Sequence, residues 1–107
     1  ATLLVSMLRL AGLKAYPVLI MAGPKKDPNV PNPYFNHAIA CVEKPDGSYM
    51  LMDPTNENTR ALLPAYLCDK SYLVAKPEGS SLMLSPVVPA DKNLVKIDTY
   101  ASLSESG

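Results

Sequence analysis

The first eleven residues place apolar and polar side chains with the period of a helix. Apolar residues occupy positions 3, 4, 7, 8, 10 and 11, while Thr2, Ser6 and Arg9 form a polar strip. Gly12 follows at once, in the position where helices commonly end in a left-handed residue. The pattern predicts a helix over residues 1–11. Because Ala1 enters the pattern with no capping residue before it, we expect the helix to be cut within its first turns.

The rest of the chain favours strands separated by turn residues. Pro17, inside the first apolar run, suits the beginning of a strand or a sheet edge. Residues 23–33 carry four prolines and predict an irregular loop, and residues 53–58 predict a polar loop. The predicted strands are residues 14–21, 34–43, 48–53, 71–75 and 93–100. The order of elements predicts an α+β fold, with the N-terminal helix packed on an antiparallel sheet.

The character of the chain changes near Lys76. Prolines and Gly79 punctuate residues 76–92 as in a linker or a set of loose strand connections. Residues 93–100 then alternate apolar and charged side chains, which indicates a strand. We therefore predict a core over residues 1–75, an extended segment over 76–92, and over 93–107 a strand that begins a following β domain.

The turn between the second and third predicted strands decides which side chains share a face. Lys44-Pro-Asp-Gly47 suits a three-residue hairpin loop, with a type I turn followed by a left-handed glycine. Lys44 then pairs with Ser48, so Ile39 faces Asp53 and His37 is the diagonal neighbour of Asp53 on the same face. A two-residue loop would instead put His37 and Asp53 on opposite faces.

An imidazole held by a carboxylate is the base and orienting half of a nucleophilic catalytic site. A thiol beside such an imidazole loses its proton more easily, particularly at a helix N-terminus. Two other interpretations compete with this one. A lone histidine in a strand is more often structural, and Asp53-Pro54 is also a common turn start, although Asp53 can serve in both ways.

Three segments of the chain resemble the core of the transglutaminase-like superfamily. They are residues 1–20 (ATLLVSMLRLAGLKAYPVLI), residues 35–39 (FNHAI) and residues 49–55 (YMLMDPT), in the family's order of helix, strand, His strand and Asp strand. The similarity is greatest to bacterial members in which this core lies between β-rich domains. It covers roughly residues 1–75.

The resemblance implies a partial papain-like core in which His37 is the catalytic imidazole and Asp53 its orienting partner. It places the nucleophilic cysteine a few residues before Ala1, so the chain as given is expected to be inactive. The implied activity of the parent is thiol-dependent hydrolysis or acyl transfer on a peptide or protein amide, with no cofactor. The implied partners include the flanking domains of the parent chain, and the implied location is extracytoplasmic.

Composition excludes several other classes of function. The 107 residues carry ten basic and ten acidic side chains, so no polybasic surface exists for nucleic acid or an anionic membrane. The longest apolar runs are too short to cross a bilayer. The single histidine and the cysteines show no metal-ligand spacing, and we predict no metal site.

The two cysteines, Cys41 and Cys68, permit one disulfide or none. Cys41 shares the face of His37 but lies about 13 Å along the same strand, so we expect it to pack as a small apolar residue. Cys68 falls in a loop or a short helical turn. Neither is expected to be the nucleophile. The rival to the enzyme hypothesis is a binding or scaffolding module that keeps the fold without catalysis.

Overall fold

The computed structural model describes residues 1–30, 32–57 and 60–107. Pro31 of the predicted proline-rich loop and Asn58 of the predicted polar loop lie outside the described residues. The elements in chain order are α1 Thr2–Leu10, β1 Ala15–Ile20, β2 His37–Glu43, β3 Tyr49–Met52, a 3-10 helix Ala65–Leu67, β4 Ser71–Val74 and β5 Met83–Leu84. The predicted α+β class, with a helix followed by an antiparallel sheet, is confirmed.

Helix α1 ends at the residues that the sequence indicates. Gly12 takes a φ of 87° and its N–H donates to the Arg9 carbonyl at 3.0 Å. The Leu13 N–H donates to the Leu8 carbonyl at 3.1 Å. These two bonds satisfy carbonyls that the helix itself leaves unpaired, and they turn the chain back toward β1.

The sheet has the strand order β3-β2-β1-β4-β5, and every pair in it is antiparallel. β1 is therefore central, and the expectation that Pro17 begins a strand or lies at a sheet edge is wrong, since Pro17 is the third residue of β1. The position is tolerated because pairing of β1 with β4 begins only at Val18. The Pro17 carbonyl still accepts a bond from the Ala75 N–H at 2.9 Å.

The hairpin between β2 and β3 has the predicted turn. The Gly47 N–H donates to the Lys44 carbonyl at 2.9 Å, and the Lys44 N–H donates to the Ser48 carbonyl at 2.8 Å. Gly47 has a φ of 85°. The pairing continues through Glu43 and Tyr49 to Ala40 and Met52. This register brings the start of β2 beside the end of β3.

Substituting Gly47 by alanine tests how strongly this turn specifies the hairpin. A Cβ at Gly47 meets no atom within 4 Å, so the expected loss of stability comes only from placing a side chain on a left-handed backbone. We expect Gly47→Ala to lower the free energy of unfolding by about 1 kcal/mol, measured by urea denaturation. Gly47→Asn, which tolerates this backbone better, is expected to lose less. An alanine variant as stable as the wild type would contradict the assignment of the turn.

The two faces of the sheet pack different parts of the chain. One face carries a buried cluster that includes Ile20, Ile39 and the 3-10 helix residue Leu67. The other carries Ala15 and Ala40, covered by Val5 of α1 and its neighbours. Residues paired across a ladder share a face, and His37 pairs with Ile20. His37 therefore lies on the face opposite α1.

The C-terminal part of the chain differs from its prediction in one place. Residues 76–92, predicted as a linker or a set of loose strand connections, contain the two-residue strand β5, which pairs with β4. Residues 93–100, predicted as a strand, form no strand, and Val95 and Ile97 are 85% and 81% exposed. An alternating segment needs a neighbouring strand to bond its backbone, and none of the described residues supplies one. That this segment begins a following β domain stays a prediction.

Candidate functional site

His37 is the first residue of β2, and the residue before it fixes where that strand begins. The Asn36 side chain bridges the backbone of Ala22: its Oδ1 accepts the Ala22 N–H at 2.7 Å and its Nδ2 donates to the Ala22 carbonyl at 2.9 Å. These bonds prolong the contact between the β1 and β2 segments past the last ladder pair. The His37 side chain is 24% exposed at the rim of the buried face.

Asp53 directly follows β3 and is held by both its backbone and its side chain. Its N–H donates to the Leu62 carbonyl at 2.8 Å. Its carboxylate is fully buried, and its Oδ2 accepts a hydrogen bond from His37 Nε2 at 3.0 Å. The structure therefore brings together the two residues that the hairpin turn predicts to be diagonal neighbours. Their catalytic role stays a prediction.

The two oxygens of the Asp53 carboxylate serve different partners. Oδ1 accepts the Thr55 N–H at 2.9 Å and the Thr55 hydroxyl at 2.6 Å, which forms a local turn at Asp53-Pro54-Thr55. Oδ2 faces His37 and also accepts the Tyr66 hydroxyl at 3.3 Å. The turn interpretation of Asp53 and its pairing with His37 are thus both true.

The hydrogen bonds keep the buried carboxylate ionised. Burial raises the pKa of Asp53, but the bonds donated by Thr55 and His37 outweigh it and hold that pKa below its ordinary value. An ionised carboxylate only accepts hydrogen bonds, so a neutral His37 must carry its proton on Nε2. Nδ1 then presents a lone pair, which is the atom that a general base needs.

Sequence reasoning missed three residues of this site: Asn36, Thr55 and Tyr66. Thr55 had a readable signal, because the side chain of Asp at a turn start commonly accepts the N–H two residues on. Asn36 and Tyr66 had none, since their partners lie 14 and 13 residues away along the chain.

Neither cysteine has the environment of an activated nucleophile. Both thiols are free. Cys41 is fully buried in the cluster on the His37 face, and burial raises its pKa to about 11. Burial also raises the pKa of Cys68, whose thiol lies 3.7 Å from the Pro64 carbonyl. The prediction that Cys41 packs as a small apolar residue is confirmed.

Among the described residues, no three His, Cys, Asp or Glu side chains come together in a way that would hold a metal ion. Neither α1 nor the 3-10 helix has the length and apolar character needed to cross a bilayer.

No family model, no curated protein and no solved structure matches this chain. The geometry of the His37 and Asp53 pair is therefore the basis for a functional proposal.

Proposed function

We propose that His37 and Asp53 are the base and its orienting partner in a transglutaminase-like thiol enzyme that acts on peptide or protein amides. The nucleophilic thiol belongs to residues that precede Ala1 in the parent protein, and the core is papain-like. The observation that carries the proposal is the 3.0 Å bond from Nε2 to a fully buried carboxylate. In a surface ion pair both groups are exposed, whereas here the buried carboxylate is shielded from water and holds the ring in one orientation.

The direction of α1 supports a thiol delivered from its N-terminal side. Its C-terminal end is tied beside the start of β1, because Arg9 Nε donates to the Ala15 carbonyl at 2.8 Å. The helix packs on β1 and β2. Since its C-terminal end lies beside the start of β1, its N-terminal end points toward the other end of β1, where Ile20 pairs with His37. His37 and Asp53 face away from α1, so the preceding residues must pass around the rim of the sheet to reach Nδ1.

The proposed reaction is an acyl transfer through a thioester. Nδ1 of His37 takes the thiol proton, and the thiolate attacks the amide carbonyl carbon. The carbon–nitrogen bond breaks as the imidazolium returns the proton to the leaving amine. Water then attacks the thioester with His37 again as the base, which releases the carboxylic acid and regenerates the thiol. An amine in place of water gives transfer, but we favour hydrolysis.

Alkylation of thiols tests the proposal in a chain extended toward its N-terminus. We expect a cysteine in the added residues to react with iodoacetamide at neutral pH at least about tenfold faster than an unperturbed thiol, and His37→Ala to remove that advantage. Cys41 serves as an internal control because the folded protein shields it. Peptide mass spectrometry identifies the labelled site. The proposal is rejected if the added residues contain no cysteine, or if that cysteine is labelled equally fast in His37→Ala.

A non-catalytic binding module is the second candidate, favoured by one observation. Leu3, Met7 and Leu10 lie three and four residues apart on α1 and are 74%, 58% and 90% exposed. Such a stripe marks a surface that another element covers. If this candidate is correct, His37→Ala in the extended chain changes no thiol reactivity.

A further inference from the structure

The hydroxyl of Tyr66 contacts the same carboxylate oxygen as His37. We propose that Tyr66 is a positioning residue of this site. It shares Oδ2 of Asp53 with His37, and its hydroxyl thereby weakens the hydrogen bond between that oxygen and the imidazole. The inference rests on the proposed function for its meaning, but the contact itself is measurable without any activity. Tyr66 lies 13 residues from Asp53 along the chain, in the 3-10 helix.

Tyr66 is held in place from both sides of that short helix. Before it, the Leu62 carbonyl accepts the Asp53 N–H at 2.8 Å, which ties this segment directly to the end of β3. After it, Leu67 is fully buried under the sheet, and its carbonyl accepts the buried Ser85 hydroxyl at 2.6 Å. With its two flanks anchored, the backbone at Tyr66 is held where the phenol hydroxyl reaches Asp53.

Because Tyr66 and His37 share one oxygen, a change in the Tyr66 contact alters the hydrogen bond of His37. Oδ1 already accepts two bonds from Thr55, so the carboxylate meets His37 and Tyr66 through Oδ2 alone. The 3.3 Å between the Tyr66 hydroxyl and Oδ2 is longer than in a good hydroxyl–oxygen hydrogen bond. The hydroxyl therefore draws charge from Oδ2 but leaves the imidazole in place at 3.0 Å. Removing it leaves His37 as the only donor to Oδ2 within the described residues.

Two side chains on the adjoining strands β1 and β4 bring no charge to the pair of His37 and Asp53. Ile20 of β1 faces His37 across the ladder and is apolar. On β4, the Tyr72 hydroxyl lies 3.7 Å from Met83 Sδ. The reciprocal effect on Tyr66 is consistent with the contact, since burial and then the charge of Asp53 raise the pKa of the phenol.

Tyr66→Phe tests the proposal by deleting only the hydroxyl. Tyr66 is 52% exposed, so the substitution leaves the core intact. Following the Asp53 carboxyl carbon by NMR, we expect the pKa of Asp53 to rise by roughly 0.3 to 0.5 unit, because one long, partly exposed hydrogen bond to the charged form is lost. The ring N–H of His37, which is the chain's single histidine, should move downfield as its bond to Oδ2 strengthens.

The matched control is Tyr100→Phe, which removes a hydroxyl from a side chain that is 96% exposed and should leave both signals unchanged.

A second measurement tests the same contact from the side of the tyrosine. Asp53→Asn should lower the pKa of Tyr66 toward that of an ordinary tyrosine. The titration of Tyr66 is followed by tyrosinate absorbance, and the absorbance of Tyr66→Phe is subtracted to remove the other tyrosines. The proposal is overturned if Tyr66→Phe leaves the Asp53 titration and the His37 N–H where they are, or if Tyr100→Phe moves them equally. If Tyr66→Phe changes neither signal but thiol labelling depends on His37, the role of Tyr66 is rejected and the proposed enzyme is kept. If Tyr66→Phe changes both signals but thiol labelling does not depend on His37, the role of Tyr66 is kept and the proposed enzyme is rejected.

Discussion

Replacing Asp53 with asparagine is expected to reduce amide turnover in the extended, thiol-containing chain by on the order of 10³-fold or more. The carboxamide keeps an oxygen for Thr55 but presents an N–H₂ group toward His37 and Tyr66. Nε2 must then accept a bond where it now donates one, which moves the neutral ring's proton to Nδ1. Since Nδ1 is the atom that takes the thiol proton, the base is lost although the side chains keep their places.

The same variant changes how stability depends on pH. The folded pKa of Asp53 lies below its ordinary value of 3.8. A group with a depressed folded pKa adds stability that is fully present above its unfolded pKa and is lost as pH falls through its folded pKa. We therefore expect Asp53→Asn to be less stable than the wild type by about 1–3 kcal/mol near neutral pH. The difference should narrow as pH falls from about 4 downward.

Two measurements check these expectations. The ¹⁵N shifts of the single histidine report which ring nitrogen carries the proton, and urea denaturation at several pH values reports the stability difference. Asp98→Asn is the matched control, because Asp98 pairs with Lys96 at 3.5 Å on the surface and should change neither result. A ring that keeps its proton on Nε2 in Asp53→Asn would show that the carboxylate does not orient His37.

Replacing Leu67 with alanine is expected to lower the free energy of unfolding by about 2–5 kcal/mol. Leu67 is fully buried in the cluster on the His37 face, where it packs the 3-10 helix onto the sheet. Truncating it removes transfer energy and leaves a cavity that the surrounding strands fill only partly. The same cavity should loosen the anchor of Tyr66, so the Asp53 pKa is expected to rise, as it is expected to do in Tyr66→Phe.

Leu62→Ala provides the comparison within the same segment. Leu62 is 58% exposed, so its truncation should cost less than about 0.5 kcal/mol, and its carbonyl still accepts the Asp53 N–H. Urea denaturation of both variants checks the pair. Equal losses for Leu67→Ala and Leu62→Ala would mean that the 3-10 helix is not packed on the sheet as described.

Much of the site could be predicted because its central contact depends on one turn. The Lys44-Pro-Asp-Gly47 loop sets the register of β2 and β3, and the register puts His37 and Asp53 on one face. The turn at Asp53-Pro54-Thr55 is equally local. Tyr66 and Asn36 could not be predicted, because each meets its partner only after the intervening segments have folded.

The sequence by itself determined the features that neighbouring residues decide: the end of α1 at Gly12, the hairpin turn at Gly47, and the shared face of His37 and Asp53. Backbone conformation and the two-residue period of a strand settle these without distant contacts. The tertiary structure decided what depends on long-range partners. It put Pro17 in a central strand and added β5. It also left residues 93–100 without a strand and brought Tyr66 to the carboxylate. Strand pairing and burial require segments distant in the chain to meet, and no local pattern states which segments those are.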